Sequence, residues 1–333
     1  ERVARDWGNH DLEPPYRKAL EADSGFSPAH LELGKLALFR GRPEEAIRHL
    51  EAAGARDEDG LAWRYFYGLA LTGAGRLAEA RHAFERTARY DGEARGRTRL
   101  AELAMRDRDW HQALGHLDRV ESLQPRVTRP RGLRAACLRR LGRLAEASAA
   151  IEAARTVDRT DPFLQYEAMF IAAGSVEPGR LSAKPLAALI EQVRGQEEPL
   201  LEAAFDYLAA GLETEAAAVV ESLPQPGALA LFLLAWIRDR LGRTRASRTA
   251  LAAACRRDPV YQHPWRLEMI AVLEWAAAQR PASPRPVWLL GNLLMARRRT
   301  EEAVALWRRA ERMGETHALL AAGLGHYERH VAK

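Results

Sequence analysis

One six-residue phrase occurs twice in the chain: Gly-Arg-Leu-Ala-Glu-Ala runs from Gly75 to Ala80 and again from Gly142 to Ala147. Looser copies stand at Gly41 to Ala46 and Arg298 to Ala303. Four residues after each final Ala comes a large apolar residue: Leu50, Phe84, Ile151 and Trp307. The identical copies are 67 residues apart, about twice a period of 33 or 34. A fixed period of that length marks a tandem array, in which each unit buries its apolar face on the next. A duplicated turn therefore constrains the fold more tightly than overall composition does.

The composition agrees with an array of helices. Ala, Leu, Arg and Glu dominate, and runs of Val, Ile and Thr that favour strands are missing. The net charge of +5 comes almost wholly from Arg, since the lysines are only Lys18, Lys35, Lys184 and Lys333. The 45 acidic residues are interleaved with the arginines, and the runs Arg106 to Arg108 and Arg297 to Arg299 are short. That distribution points away from nucleic acid, which needs basic residues gathered on one face. Cys137 and Cys255 fall on separate predicted helices, a usage that suits a reducing compartment and leads to a cytoplasmic expectation. The longest apolar run, Ala228 to Ile237, is half of a membrane span, so no membrane is expected. No signal peptide is visible, but the chain starts at Glu1 rather than Met, which leaves room for an upstream part.

Alignment on Ala46, Ala80, Ala113 and Ala147 brings other positions into register. With these at position 20, Leu33-Gly34, Tyr67-Gly68 and Leu100-Ala101 take positions 7 and 8. Position 24 reads Leu50, Phe84, Leu117 and Ile151; position 27 reads Ala53, Ala88 (one place late), Val120 and Ala154. The pattern resumes with Ala204, Tyr207, Gly211 and Ala216, then Ala235, Gly242 and Ser247, and finally Gly291, Ala303 and Trp307. This pattern resembles the tetratricopeptide repeat, and the resemblance covers nearly all of the chain. It implies an all-α fold, a right-handed α-solenoid of helix-turn-helix repeats with irregular helices interposed. The small residues at 8 and 20 are expected where the two helices of a repeat cross. Gly75 and Gly142 are expected to end first helices in left-handed conformation. Glu79 and Glu146 fall in the first turn of second helices, where the helix dipole favours negative charge.

The same register divides the chain. Residues 1–26 form an N-terminal segment with a capping helix at Pro15 to Ala22. Residues 27–172 hold about four repeats plus one helix from Pro162 to Ile171. Residues 173–196 are an irregular break carrying Gly174, Pro178, Gly179 and Pro185, followed by a helix from Leu186 to Arg194. Residues 197–333 hold a second array, with a long helix from Pro264 to Ala278 and a terminal one from Thr316 to His330.

Three phrases carry a narrower resemblance: Leu12 to Tyr16, His263 to Glu274, and Leu289 to Leu294. They are similar to the C-terminal repeat region of bacterial proteins whose N-terminal β-domain resembles sugar mutarotases. That resemblance implies a bacterial chain and a possible upstream partner domain.

Repeat arrays offer a concave surface made mostly by first helices. In this register the residues expected there are Lys35, Tyr65, Thr98, Glu102, Arg139, Trp236, Trp288, Asn292 and Tyr327, with Arg140 and Arg240 one residue further on. Aromatics alternating with Arg suit a protein or peptide partner. Two bland readings stand beside this one. Trp236 and Trp288 could fill gaps between repeats, and Arg139 and Arg140 could be a solvated face. The Lys and Asn set with which one repeat family clamps the carboxylate of chaperone tails is not assembled, since Leu31 and Leu69 hold its places.

No catalytic residues, metal site or cofactor are expected. His326 and His330 lack the third and fourth ligands that zinc needs. Gly73-Ala74-Gly75 joins two helices, whereas a dinucleotide loop follows a strand. Paired acids such as Glu44-Glu45 and Glu301-Glu302 are helix-start charges. The expected function is a non-catalytic interaction scaffold, binding a protein, a peptide or an upstream domain of its own parent chain. The alternative is an accessory or oligomerisation module of a bacterial carbohydrate-active enzyme.

Overall fold

The computed structural model describes residues 13–56, 60–89, 94–174, 181–258 and 263–330. Among them are nineteen helices and no strand. They form two compact units, 1–100 and 101–333, whose boundary falls within one helix. No described helix is long and apolar enough to cross a membrane.

The first unit contains α1 (Glu13–Ala22), α2 (Ser27–Phe39), α3 (Pro43–Gly54), α4 (Leu61–Gly73), α5 (Leu77–Ala88) and the start of α6 (Ala94–Arg106). The pairs α2/α3 and α4/α5 pack as helical hairpins. In the second unit come α7 (Trp110–Leu123), the hairpin α8 (Thr128–Arg140) and α9 (Leu144–Arg155), then α10 (Pro162–Ala172) and α11 (Ala183–Gln192). The hairpins α12 (Glu198–Ala209) with α13 (Glu213–Glu221) and α14 (Ala228–Arg240) with α15 (Thr244–Arg256) follow. After α16 (Glu268–Gln279), the hairpin α17 (Pro284–Ala296) and α18 (Thr300–Arg312) leads to α19 (Ala318–His330).

The duplicated phrase is a hairpin turn. Gly75 and Gly142 have φ of 76° and 75°, the left-handed region that glycine enters without steric cost. At each turn two N–H groups close back on the first helix: Gly75 to the Thr72 carbonyl and Arg76 to that of Leu71, at 3.1 and 2.8 Å. These bonds satisfy carbonyls that the helix end would otherwise leave bare. The Arg of the phrase also has a role. Arg76 donates from Nε and Nη2 to the two carboxylate oxygens of Glu79 at 2.7 and 2.6 Å, and Arg143 does the same to Glu146. Arg299 repeats this fork with Glu302. These forks are at the surface, where solvent and salt screen them, so they orient the start of each second helix and add little to stability.

The close crossing is between position 8 and position 24. A Cβ added at Gly68 would lie 2.5 Å from the ring of Phe84, one at Gly34 2.6 Å from Leu50, and one at Gly291 2.5 Å from Trp307. The ring or branched side chain therefore occupies the space a methyl would need. The late Ala88 of the second repeat has a simple explanation. Thr87 holds position 27, fully buried, and its hydroxyl donates to the Ala83 carbonyl at 3.0 Å.

Several expectations need correction. The helix expected from Pro264 begins only at Glu268. Residues 263–266 are held outside any helix, because Trp265 Nε1 donates to Glu202, Arg297 donates to the Trp265 carbonyl, and Arg266 donates to Glu202 at 3.0 Å. Tertiary hydrogen bonds here outweigh local propensity. The helix after the break spans Ala183–Gln192 rather than starting at Leu186, and α19 starts at Ala318. Pro178 and Gly179 of the break, and the first twelve residues of the N-terminal segment, lie outside the described residues.

Gly68→Ala should destabilise the chain by about 1–3 kcal/mol through overpacking. Combining it with Phe84→Leu should recover part of that loss, as read by the urea midpoint of the single and double variants. Additive losses would show that the two residues do not share one space.

Candidate functional site

In the first unit, three successive first helices meet in one continuous strip. Lys35 on α2 has its Nζ 2.6 Å from Glu32 and 5.1 Å above the Phe66 ring of α4. Phe66 meets Tyr65 edge-on, centroids 5.6 Å apart at 71°. Tyr65 in turn lies 5.1 Å from the Arg95 guanidinium of α6 and 6.0 Å from the Phe84 ring. Lys35, Tyr65 and Phe66 are partly exposed, and Arg95 is exposed. Cations over ring faces are attracted by the ring quadrupole, by about 0.5–1 kcal/mol at exposed sites. The strip is therefore ordered by its own contacts while part of each ring faces solvent. Thr98 takes no part in it, since its hydroxyl is turned back to the Ala94 carbonyl at 2.9 Å. Phe66 and Arg95 were not among the expected residues. Phe66 adjoins Tyr65 in sequence, and Arg95 stands at position 2 of its repeat. Both signals were legible.

In the second unit the expected groove residues mostly turn inward. Arg139 is fully buried and its Nε is 2.5 Å from Glu167, while its Nη2 is 2.8 Å from Glu215. Glu215 also accepts from Arg140 at 2.8 Å, and Glu167 accepts from the Tyr207 hydroxyl at 2.9 Å. The Phe170 ring lies 5.3 Å from the Arg139 guanidinium. Burial alone would disfavour the charge on Arg139, but Glu167 and Glu215 outweigh it and hold the group protonated. Burial, and then Glu167, push the Tyr207 hydroxyl well above its ordinary range. Burial likewise raises the Cys137 thiol, which makes it inert toward oxidants that attack thiolates.

Trp288 is also buried, stacked on His317 at 4.6 Å, so it fills a gap and is not a groove residue. Arg139 is neither groove contact nor solvated face. Asn292 accepts from Trp307 Nε1 at 2.9 Å, and Glu102 is buried with Arg129 at 2.9 Å. These four act inside the structure. Trp236 and Arg240 remain nearer the surface: Arg240 lies 4.8 Å from the Trp236 ring and 2.7 Å from Glu213. Tyr327 is partly buried against the core. Among the described residues no group of three or more His, Cys, Asp or Glu could hold a metal ion.

A second internal cluster surrounds Asp206 on α12. Arg129 lies 3.0 Å from its carboxylate, yet burial dominates and pushes the group up to about 6, with Arg129 and Arg266 opposing the shift. The unfolded chain releases this proton near the usual aspartate value, so the folded state is the tighter proton binder. Stability from this group is complete at low pH and is lost as pH rises toward and through about 6.

Residues 31–94 and 98–163 match the family model of the tetratricopeptide repeat, so the hairpins there are tetratricopeptide repeats. No curated protein sequence matches the chain. Among solved structures it is similar to yeast Tom70, at 12% identity over 92% of this chain and 64% of that one, TM-score 0.47. A tetratricopeptide repeat protein from Parabacteroides merdae ATCC 43184 is 14% identical over 90% of this chain and 97% of that one, TM-score 0.46. YrrB, described as a TPR protein with an unusual peptide-binding site, is 16% identical over 71% and 96%, TM-score 0.41. None of these likenesses assigns a ligand to this chain.

Asp206→Asn should be neutral or stabilising at pH 7.5, because it removes a buried charge. Its advantage over the parent should shrink as pH falls from 7.5 to 4, measured by chemical denaturation across that range. An advantage that grew toward low pH would contradict the assignment.

Proposed function

We propose that the chain is a non-catalytic interaction scaffold whose first unit holds a protein or peptide segment against the strip Lys35–Phe66–Tyr65–Arg95. The partner is a separate protein or another domain of the parent chain. What supports this reading most is that the strip crosses three first helices while its aromatic faces stay partly exposed. Rigid aromatics beside cations supply contact area at low entropic cost, the composition of interface anchors. An apolar or aromatic side chain flanked by a carboxylate fits such a strip: the ring takes the apolar group, and Lys35 or Arg95 takes the charge. The tetratricopeptide repeats at 31–94 are consistent with a peptide-binding scaffold, and this strip lies on the first helices of that region.

A displayed peptide library selected on the intact chain tests the proposal. Selected peptides should bind Tyr65→Ala and the Lys35→Glu, Arg95→Glu double variant at least about tenfold more weakly, since anchor residues carry roughly 2 kcal/mol or more. Trp236→Ala should leave their affinity unchanged. Equal affinity for the parent and for both strip variants would sink the reading.

A further inference from the structure

Helix α15 departs from the other second helices in a way the repeat does not require. In α5, α9 and α18 the arginine before the helix forks onto a glutamate three residues on. Before α15 the arginine is Arg243, and the place of the glutamate is taken by Ala246. Between Arg240 and Arg257 there is no acidic residue at all. Arg243, Arg245, Arg248 and Arg256 are all exposed. Among the described residues none of the four guanidiniums has a hydrogen bond or an ion pair, whereas most of the chain's other repeat-turn arginines do. Arg245, Arg248, Thr249, Ala252 and Arg256, with Thr244, line one shallow open trough along the helix.

The positions 245, 248/249, 252 and 256 advance by three and four, so they form a single stripe about 16 Å long at 1.5 Å per residue. The centre of the stripe, Thr249 and Ala252, is small, and the arginines flank it. Two of the positive charges, Arg243 and Arg245, sit at the helix start, where the dipole disfavours them. Repulsion within the stripe and with the dipole is relieved by an anionic partner.

We propose that the outer face of α15 docks an acidic helical segment of a protein partner. A helix carrying Glu or Asp at the same three-and-four spacing lays its small-residue centre over Thr249 and Ala252. It presents carboxylates to the forked donors of Arg245, Arg248 and Arg256. Two features favour this partner over a nucleic acid or a lipid surface. The stripe is one helix long, and the helices before and after it in the chain carry exposed Asp239 on α14 and Glu274 on α16. Neither an aromatic for base stacking nor a large apolar side chain for membrane insertion lies on the stripe. This surface belongs to a second helix and is independent of the strip in the first unit.

The test is fluorescence anisotropy on the full chain with three probes: a labelled helical peptide with Glu at i, i+4 spacing, an oligothymidylate of equal charge, and phosphatidylserine vesicles. The peptide should bind most tightly, and more weakly as salt rises. The Arg245→Glu, Arg248→Glu variant should lose at least about tenfold in peptide affinity while keeping its helical circular dichroism, because the replaced groups have no partner to lose. Ala246→Glu, which gives Arg243 the fork seen at Arg76 and Arg143, should weaken binding as well. Arg126→Glu, an exposed control, should change nothing. Peptide affinity unaffected by the double reversal, an equal loss in Arg126→Glu, or tighter binding of the oligonucleotide or the vesicles would overturn the proposal.

Discussion

The second unit depends on a charge buried where a repeat protein ordinarily keeps apolar side chains. Arg139 has no contact with solvent, and a guanidinium so placed is tolerated only if its hydrogen bonds are met by charge of the opposite sign. Glu167 and Glu215 supply it, Arg140 balances the second carboxylate, and Tyr207 satisfies the first. The network takes one residue or more from each of α8, α10, α12 and α13. These are the elements on either side of the segment where hairpin packing is interrupted, since α10 leads into the break and not into a closely paired second helix. There an ionic cluster joins helices that also pack through Gly132 against Phe163 and through Phe163 against Tyr207. Its directionality fixes which helices meet, a service that apolar packing gives less selectively.

That arrangement also decides which residues remain for a partner. In the second unit, Arg139, Glu102, Asn292 and Trp288 are engaged with the protein's own core, and Arg140 with Glu215. Their register on first helices is the register of contact surfaces, but their partners are internal. In the first unit Lys35, Tyr65 and Arg95 meet one another's helices cation over ring, Lys35 also meeting Glu32, and they keep an exposed side. The first-helix positions therefore serve adhesion within the chain mostly in the second unit, while in the first they leave aromatic rings partly exposed.

The repeat itself was legible because its causes are local. A glycine with positive φ, an alanine at a crossing and a large residue four places on are each imposed by neighbours within one hairpin, and Gly68 against Phe84 shows it. Arg139 was not legible, because Glu167 and Glu215 lie 28 and 76 residues away and nothing in their spacing joins them. Trp288 at position 5 reads equally well as anchor or as filler until His317 is seen stacked on it. Residues 263–266 miss their expected helix for the same reason: Glu202 and Arg297, distant in sequence, hold them. The arginine of the duplicated phrase is the opposite case. Its glutamate stands three residues on in plain view, and its absence at Ala246 is equally visible.

The claim that a buried ionic network joins the repeats on either side of the break is tested most directly by a double-mutant cycle on Arg139→Met and Glu215→Gln. The urea stabilities of the parent, the two single variants and the double variant give the coupling between α8 and α13. Each single change should cost several kcal/mol, and the double should cost about 1–3 kcal/mol less than their sum, because the second change no longer strands a buried charge. Losses that add to within about 0.5 kcal/mol would mean that the two residues do not act together, and the account of this unit would fail.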